Sequence, residues 1–389
     1  HRYREDVALM KKMGLKSYRF SVSWSRILPD GTEKINQKGI EFYQSLVREL
    51  KAAGIEPMVT LYHWDLPYAL YLQGGWKNPQ IPDWFAAYTK IVVEALSDQV
   101  QYWMTLNEPQ CFVGIGHLQG RHAPFLDEPA SLRPVTRHVL LAHAKAVQTI
   151  RQYAKLPPKV GYAPTGPVFS PCGDESEAAI AEAYRRTMEV EGCYSISWWC
   201  DPVLLGRVPE TMAKALGADV FTPQELELLH QPLDYLGFNV YNACAAQQPG
   251  SEYTANTWQG SPRTAMEWPI TPDCIYWAIR FLNQRYGRPI LITENGMANT
   301  DFVMLDGKVH DPQRIDYVHR HLLAARRALQ EGYPLIGYTY WSIMDNYEWA
   351  EGYSKRFGLI YVDYRTMERI PKDSAAWYAH VIATNGSEL

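Results

Sequence analysis

The sequence is poor in several features that would each point to a particular class of protein. It contains six cysteines among 389 residues, and none forms a CxxC pair or a zinc-like Cys/His cluster. No apolar run reaches the roughly 18 residues that a membrane-spanning helix needs. The formal net charge is only −4, so no excess of one sign indicates a nucleic acid or an acidic membrane surface as a partner.

The cysteines stand mostly in apolar surroundings, at positions 111, 172, 193, 200, 244 and 274. Cysteines in such surroundings are typically reduced and packed in the core. Reduced thiols indicate a reducing compartment, so we expect a cytoplasmic location.

Short motifs for nucleotides and metals are also missing. Neither GxGxxG nor GxxxxGK[ST] occurs, which argues against a phosphate-binding turn. No HExxH or DxDxDG occurs, although Glu, His and Asp side chains brought together by the fold are an alternative set of metal ligands. The missing metal motifs therefore disfavour a metal site.

The chain does contain a repeated unit of helix, glycine and apolar run. Four predicted amphipathic helices each end at a glycine, and a mostly apolar stretch follows at once. These glycines suit the left-handed position that ends a helix, and they are Gly14, Gly54, Gly287 and Gly332. Since 47% of the residues are hydrophobic, the apolar stretches can form a parallel sheet that is buried on both faces.

Seven candidate strands follow this pattern along the chain. Four come after the glycines, and the others are 100–108, 159–165 and 234–242. No linker or change in composition divides residues 1–389, so we predict a single α/β domain with the architecture of a (β/α) barrel. A doubly wound sheet is the alternative, and it would usually carry a glycine-rich phosphate turn.

Polar side chains gather at the C-terminal ends of the candidate strands. In a (β/α) barrel these ends meet on the catalytic face, so we expect the side chains to converge. They are Arg19, His63, Asn107, Glu108, Asn239, Tyr241, Glu294 and Asn295.

Two of these residues, Glu108 in TLNEP and Glu294 in ITENG, are carboxylates that close an apolar run. A pair of carboxylates across a cleft can hydrolyse a glycosidic bond, one as acid and the other as nucleophile or base. Salt-bridged strand ends are the alternative. The stretch at 341–358 favours catalysis because its two Trp, two Tyr, one Phe and three acidic residues combine ring stacking with hydroxyl binding.

Six motifs together resemble glycoside hydrolase family one, the β-glucosidases and their relatives. They occur in the family's order from residue 1 to about residue 382, and they are YRFSVSWSRI, VTLYHWDLP, WMTLNEP, LGFNVY, ITENG and YWSIMDNYEWAEGYSKRFGLIYVDY. The resemblance implies a (β/α)8 TIM barrel that hydrolyses glycosides with retention of configuration and without a cofactor.

The same resemblance implies roles for individual residues. Glu108 would be the general acid/base and Glu294 the nucleophile, with Arg19 and Tyr241 orienting the nucleophile. The residues that would contact the substrate are His63, Asn107, Asn239, Tyr241, Trp341, Glu348, Trp349 and Phe357, with Trp268 as a platform on the leaving-group side.

These roles require different protonation states of the two glutamates. Glu294 must be ionised to attack the anomeric carbon, and an adjacent Arg19 would favour its charged form. Glu108 must first donate a proton and later accept one, for which neutral neighbours such as Asn107 are suited. Retention requires the two carboxyl groups to lie about 5–5.5 Å apart.

The expected substrates are β-D-glucosides, chiefly cello-oligosaccharides and aryl glucosides, with some galactosides and fucosides. Phospho-glycosidases of the family carry a serine in place of Glu348 and a tyrosine in place of Phe357, so 6-phosphorylated sugars are disfavoured. Plant thioglucosidases carry Gln in place of Glu108. Two alternatives stay open, namely a 6-phospho-β-glycosidase and a catalytically impaired barrel that only binds sugars.

The family's first strand should precede the first predicted helix, but the sequence begins at His1 within that helix. A longer gene product, a trimmed chain and a chain that lacks the strand are all consistent with this. In the last case the barrel would have a gap between two exposed strand edges, which a homo-oligomer could cover. Such a chain would keep both glutamates and bind glycosides more weakly.

Overall fold

The computed structural model describes residues 2–246 and 260–389. Within them the α-helices are α1 Tyr3–Lys12, α2 Trp24–Ile27, α3 Gln37–Ala52, α4 Tyr68–Tyr71, α5 Ile81–Leu96, α6 Leu132–Tyr153, α7 Glu177–Met188, α8 Ile196–Leu204, α9 Glu210–Leu216, α10 Pro223–Leu229, α11 Cys274–Tyr286, α12 Pro312–Gln330 and α13 Asp373–Ala383. The strands are β1 Ser17–Ser21, β2 Glu56–Tyr62, β3 Tyr102–Asn107, β4 Lys159–Ala163, β5 Val168–Ser170, β6 Leu236–Asn239, β7 Ala243–Ala245, β8 Ile290–Asn295, β9 Leu335–Tyr340, β10 Ile360–Val362 and β11 Arg369–Pro371.

All seven predicted strands are present, as β1, β2, β3, β4, β6, β8 and β9. The four glycines that were expected to end helices have φ angles from 60° to 86°, as the left-handed position requires. The sequence did not predict β5, β7, β10 and β11. Each of these has only three residues, which is too short for a recognisable hydrophobic period.

The chain forms two compact units, and each is described by itself. The first comprises His1–Val7, Lys16–Gly166 and Met188–Phe238, and the second comprises Ala8–Leu15, Pro167–Thr187 and Asn239–Leu389. The single domain over 1–389 stays a prediction.

In the first unit, four parallel strands lie in the order β1-β2-β3-β4. Helix α5 buries one face formed by residues three or four positions apart: Ile81, Phe85, Tyr88, Val92 and Leu96. Each such side chain contributes about 1.5–3 kcal/mol when it leaves water. The Tyr88 hydroxyl lies 2.9 Å from the carbonyl oxygen of Leu61, so the helix is attached near the end of β2, where the predicted site begins.

In the second unit, β8 and β9 are parallel neighbours, and so are β5 and β7. Helices α12 and α13 contribute to a core cluster that includes Tyr317, Val318, Ile360 and Ala375. None of the helices in the described part of the chain combines the length and the hydropathy that crossing a membrane requires.

Two predictions about burial are wrong in part, namely that the strands are buried on both faces and that the cysteines are packed in the core. Strand β2 is buried along nearly its whole length, but β1 has no buried residue and Ile336 of β9 is 52% exposed. Among the described residues, each of these strands is hydrogen-bonded to a neighbouring strand along one edge only. Of the cysteines, three are buried as expected and Cys111 is half-buried, whereas Cys172 and Cys244 are exposed because they lie beside the short β5 and within β7.

Candidate active site

Strand β3 of the first unit ends at Asn107 and delivers Glu108 into a turn. Its pairing with β4 shifts register between Met104 and Asn107, and Glu108 has a φ of 43°, which is rare for a residue other than glycine. The amide nitrogen of Glu108 donates to the carbonyl oxygen of Ala163 at 2.8 Å, and Glu108 is 8% exposed. A register shift and a left-handed residue at a strand end re-aim a side chain, which is typical of a functional site.

Asn107 joins two of the other predicted residues. The Arg19 guanidinium donates to Oδ1 of Asn107 at 2.6 Å, and Nδ2 of Asn107 lies 3.1 Å from Nε2 of His63. Because a guanidinium can only donate, Oδ1 must face Arg19 and the amide hydrogens must face His63. Nε2 of His63 therefore accepts, which places the ring proton on Nδ1.

Trp64, which no sequence motif marked as a site residue, contacts both Asn107 and His63. Its indole nitrogen donates to the carbonyl oxygen of Asn107 at 3.0 Å, and its ring centroid lies 5.4 Å from that of His63. It has a φ of 80°, so the backbone after β2 is held in a conformation that no local residue preference predicts. Its partners are distant in sequence, so only the fold identifies its position.

In the second unit, Glu294 lies near the C-terminal end of strand β8 and is 4% exposed. The Tyr241 hydroxyl donates to Oε2 of Glu294 at 2.7 Å. Here too the strand pairing is irregular, because the β8–β9 register shifts between Ile292 and Asn295. A phenol that donates to a carboxylate fixes the direction of one oxygen, which suits a nucleophile.

The two predicted asparagines of this unit hold the backbone around Glu294. Oδ1 of Asn239 accepts a hydrogen bond from the Thr293 hydroxyl at 2.6 Å. Asn295 donates to the carbonyl oxygen of Val240 at 2.8 Å and accepts from the Tyr338 hydroxyl at 2.7 Å. Both side chains are fully buried, so the position of Glu294 depends on satisfied internal hydrogen bonds.

Three predicted aromatic residues lie against one another. The ring centroid of Tyr241 is 5.1 Å from that of Trp268 and 6.2 Å from that of Phe357, and the last two are 6.1 Å apart. Phe357 is only 2% exposed, so it supports the cluster more than it offers a surface. Trp268 is half-buried and leaves part of its ring accessible.

Glu348 is a half-buried carboxyl group in the aromatic stretch at 341–358. Burial, together with the charge of Glu294, raises the pKa of Glu348 from 4.5 to about 7, although Trp341 donates a hydrogen bond to it. Its Oε2 has no hydrogen-bond partner among the residues that the structure describes. An ionised Glu348 would repel a 6-phosphate, and because its pKa is about 7, this repulsion acts fully only above neutral pH.

Asp345, which no sequence pattern marked as a site residue, anchors the same stretch. One of its oxygens accepts from Nζ of Lys372 at 2.8 Å and from the amide of Gly358 at 2.9 Å, and the other accepts from Arg356 at 2.6 Å. Lys372 also donates to Asp301 at 2.5 Å, and none of these lysine and aspartate side chains is exposed. The stretch is therefore held by a buried ionic network.

The predicted residues thus form one group in each unit. Arg19, His63 and Asn107 are joined in the first unit, next to Glu108, and Tyr241 is joined to Glu294 in the second. That Arg19 lies next to Glu294 stays a prediction. In residues 2–246 and 260–389, no cluster of three or more His, Cys, Asp or Glu side chains has a geometry that would hold a metal ion.

Comparison with known proteins identifies close relatives over the full length of the chain. Residues 1–387 match the profile of glycosyl hydrolase family 1. Beta-glucosidase A of Thermotoga maritima is 41% identical, with 100% of this chain and 87% of the relative covered. The 1,4-beta-D-glucan glucohydrolase of Thermotoga neapolitana is also 41% identical, with 99% and 87% covered.

A solved structure of the beta-glucosidase from Thermotoga maritima in complex with deoxynojirimycin has a TM-score of 0.89 to this chain at 40% identity. The match covers 99% of this chain and 87% of that one. A similarity of this extent confirms the predicted (β/α)8 fold class.

Proposed function

The chain belongs to glycosyl hydrolase family 1, and on that basis we propose that it hydrolyses terminal, non-reducing β-D-glucosyl residues with retention of configuration. The observation that carries this proposal is a pair of buried glutamates, Glu108 and Glu294, each placed at the end of a strand by an irregular register. Irregular backbone of this kind is maintained at catalytic positions.

In the proposed first step, the Glu294 carboxylate forms a bond to the anomeric carbon while Glu108 transfers its proton to the glycosidic oxygen. The bond between that carbon and oxygen breaks, and the aglycone leaves as an alcohol. In the second step, Glu108 takes a proton from water, the water oxygen bonds to the anomeric carbon, and Glu294 is released as a carboxylate. Tyr241 holds Oε2 of Glu294 so that the attacking oxygen has a fixed direction.

We propose that cello-oligosaccharides and aryl β-glucosides are the preferred substrates. The aromatic rings of Trp341 and Trp349 suit the apolar face of a glucosyl ring, and Glu348 suits its hydroxyl groups. The name of the Thermotoga neapolitana relative, a 1,4-beta-D-glucan glucohydrolase, supports a glucan substrate.

Rescue by azide separates the two glutamate roles. Without the nucleophile, azide attacks the anomeric carbon directly, so Glu294→Ala should form an α-glucosyl azide from a dinitrophenyl β-glucoside. Without the acid/base, the glucosyl–enzyme still forms, so Glu108→Ala should give the β-glucosyl azide. Glu331→Ala, which removes a carboxylate of the second unit that pairs with Arg327, should hydrolyse the substrate at the wild-type rate.

A substrate panel tests the reaction class with the wild-type chain. Release of nitrophenol from aryl β-glucoside supports the proposal, and aryl galactoside and fucoside measure the breadth of the site. Turnover of 6-phosphorylated glucoside alone would replace the proposal with a phospho-glycosidase. Saturable glucoside binding without turnover would identify a sugar-binding barrel.

A further inference from the structure

A pocket of about 320 Å³ lies beside α4 in the first unit. It is lined by residues that follow β2 and β3, among them Leu66, Tyr71, Trp76, His117 and Leu126. As far as the described residues define it, its lining includes none of the residues predicted for the hydrolytic site. A volume of this size is within the range of small-molecule sites, about 300–1,000 Å³.

His117 is the unusual member of this lining. It is 2% exposed, yet neither ring nitrogen has a hydrogen-bond partner among the residues that the structure describes. Burial lowers the pKa of His117 to about 4, with a smaller contribution from Lys77, so the ring is neutral at pH 7. A neutral imidazole offers one donor and one acceptor, and leaving both unused in a buried position is costly.

The charges at the pocket cancel. Nζ of Lys77 and Oε2 of Glu128 form an ion pair at 2.8 Å, and their side chains are 38% and 43% exposed. The amide of Glu128 also donates to the carbonyl oxygen of His117 at 2.9 Å, so the backbone that carries the ion pair is joined to the backbone of His117. A pocket with balanced charge, a donor–acceptor ring and further polar groups suits a neutral ligand with several hydroxyl groups.

The apolar part of the lining carries an aromatic surface. Tyr71 lines the pocket and stacks on Tyr68 with ring centroids 5.8 Å apart and an interplanar angle of 26°. Tyr68 is 70% exposed, and the neighbouring Leu72 is 67% exposed. Exposed aromatic rings next to hydroxyl-binding groups suit a pyranose, whose faces present C–H groups and whose rim carries the hydroxyls.

We propose that this pocket binds a neutral saccharide, with a sugar ring against Tyr71 and hydroxyl groups on the His117 imidazole and the Lys77–Glu128 pair. It is a second carbohydrate site, and it does not depend on the catalytic roles of Glu108 and Glu294. Glucose, which the proposed reaction releases, is small enough to serve as the probe.

Imidazole NMR of the wild-type chain labelled with ¹⁵N-histidine tests this directly. Added D-glucose should shift the His117 nitrogen resonances saturably, with a Kd of about 1–10 mM, because few groups make contact. His143 and His321 are internal controls, since both are fully buried and their pKa values are lowered to about 3 and 4. His63 separately reports glucose at the hydrolytic site.

Two results of this titration would overturn the proposal. One is no movement of the His117 signals at saturating glucose, and the other is an equal shift with cyclohexanol, which would indicate a merely apolar pocket.

The partly exposed Lys77 side chain allows a second test that does not disturb the core. Lys77→Met should raise the Kd about 5- to 10-fold, whereas Lys90→Met, which removes the partner of Glu94 elsewhere in the unit, should leave it unchanged. Equal Kd values for both variants would refute the proposed contact of the sugar with Lys77.

Discussion

The Tyr241 hydroxyl lies 2.7 Å from Oε2 of Glu294, and the backbone reinforces this contact because the amide of Val240 donates to the carbonyl oxygen of Glu294 at 3.0 Å. The segment after β6 and the end of β8 are therefore joined twice at the proposed nucleophile. The backbone hydrogen bond holds the peptide in place, and the Tyr241 hydroxyl directs the reactive oxygen.

Tyr241→Phe should lower kcat/KM on an aryl β-glucoside by about 10- to 100-fold, because a hydrogen bond to a charged group contributes about 1.5–3 kcal/mol. Steady-state kinetics at constant pH measure this. Tyr276→Phe is the matched control, since it removes a tyrosine hydroxyl 2.5 Å from Oε2 of Glu331, which has no part in the proposed site. Equal losses in both variants would contradict a specific role for Tyr241.

Arg19→Lys should weaken catalysis through Asn107. The Arg19 guanidinium donates to both the Thr60 hydroxyl at 3.1 Å and Oδ1 of Asn107 at 2.6 Å, and an ammonium group cannot reproduce this fork. We expect a fall in kcat/KM of about 10-fold or more. The ¹⁵N signals of His63 should also change, because its tautomer depends on the orientation of Asn107. Arg137→Lys, whose guanidinium pairs with Glu225, should change neither measurement.

Glu348→Gln should stabilise the protein more at pH 8 than at pH 5. The native pKa of Glu348 is about 7, above the ordinary value of 4.5, so folding favours its neutral form. Its contribution to stability is complete below pH 4.5 and is lost as the pH rises through 7. Glutamine stays neutral and avoids that loss. The Tm difference between variant and wild type should therefore grow with pH, and Glu368→Gln on the exposed surface should show no such trend.

Lys372→Met should destabilise the second unit strongly. It would leave the buried Asp301 and Asp345 carboxylates without their shared cation, and breaking such a pair costs about 3–5 kcal/mol. A lower urea midpoint measures the loss, and KM should rise because Asp345 anchors the stretch at 341–358. Lys214→Met, which removes an exposed partner of Glu210, should leave both values unchanged. An unchanged midpoint for Lys372→Met would show that the network is not needed.

Much of the fold follows from local signals in the sequence. The seven strands and the terminal glycines were predictable because hydrophobic period and left-handed backbone are properties of short segments. The same is true of Glu108 and Glu294, each of which closes an apolar run. The three-residue strands and the exposure of Cys172 and Cys244 were not predictable, since neither depends on local composition.

Local sequence patterns show which residue types stand at the strand ends, and hence which chemistry is available. How those residues are oriented and charged depends on contacts between segments that are distant in the chain. The register shifts at or next to the two glutamates arise from pairing with another strand, and the raised pKa of Glu348 arises from burial and from the charge of Glu294. The network around Lys372 and the pocket around His117 likewise unite distant segments. Electrostatic and steric interactions act through space, so no local pattern in the chain could show them.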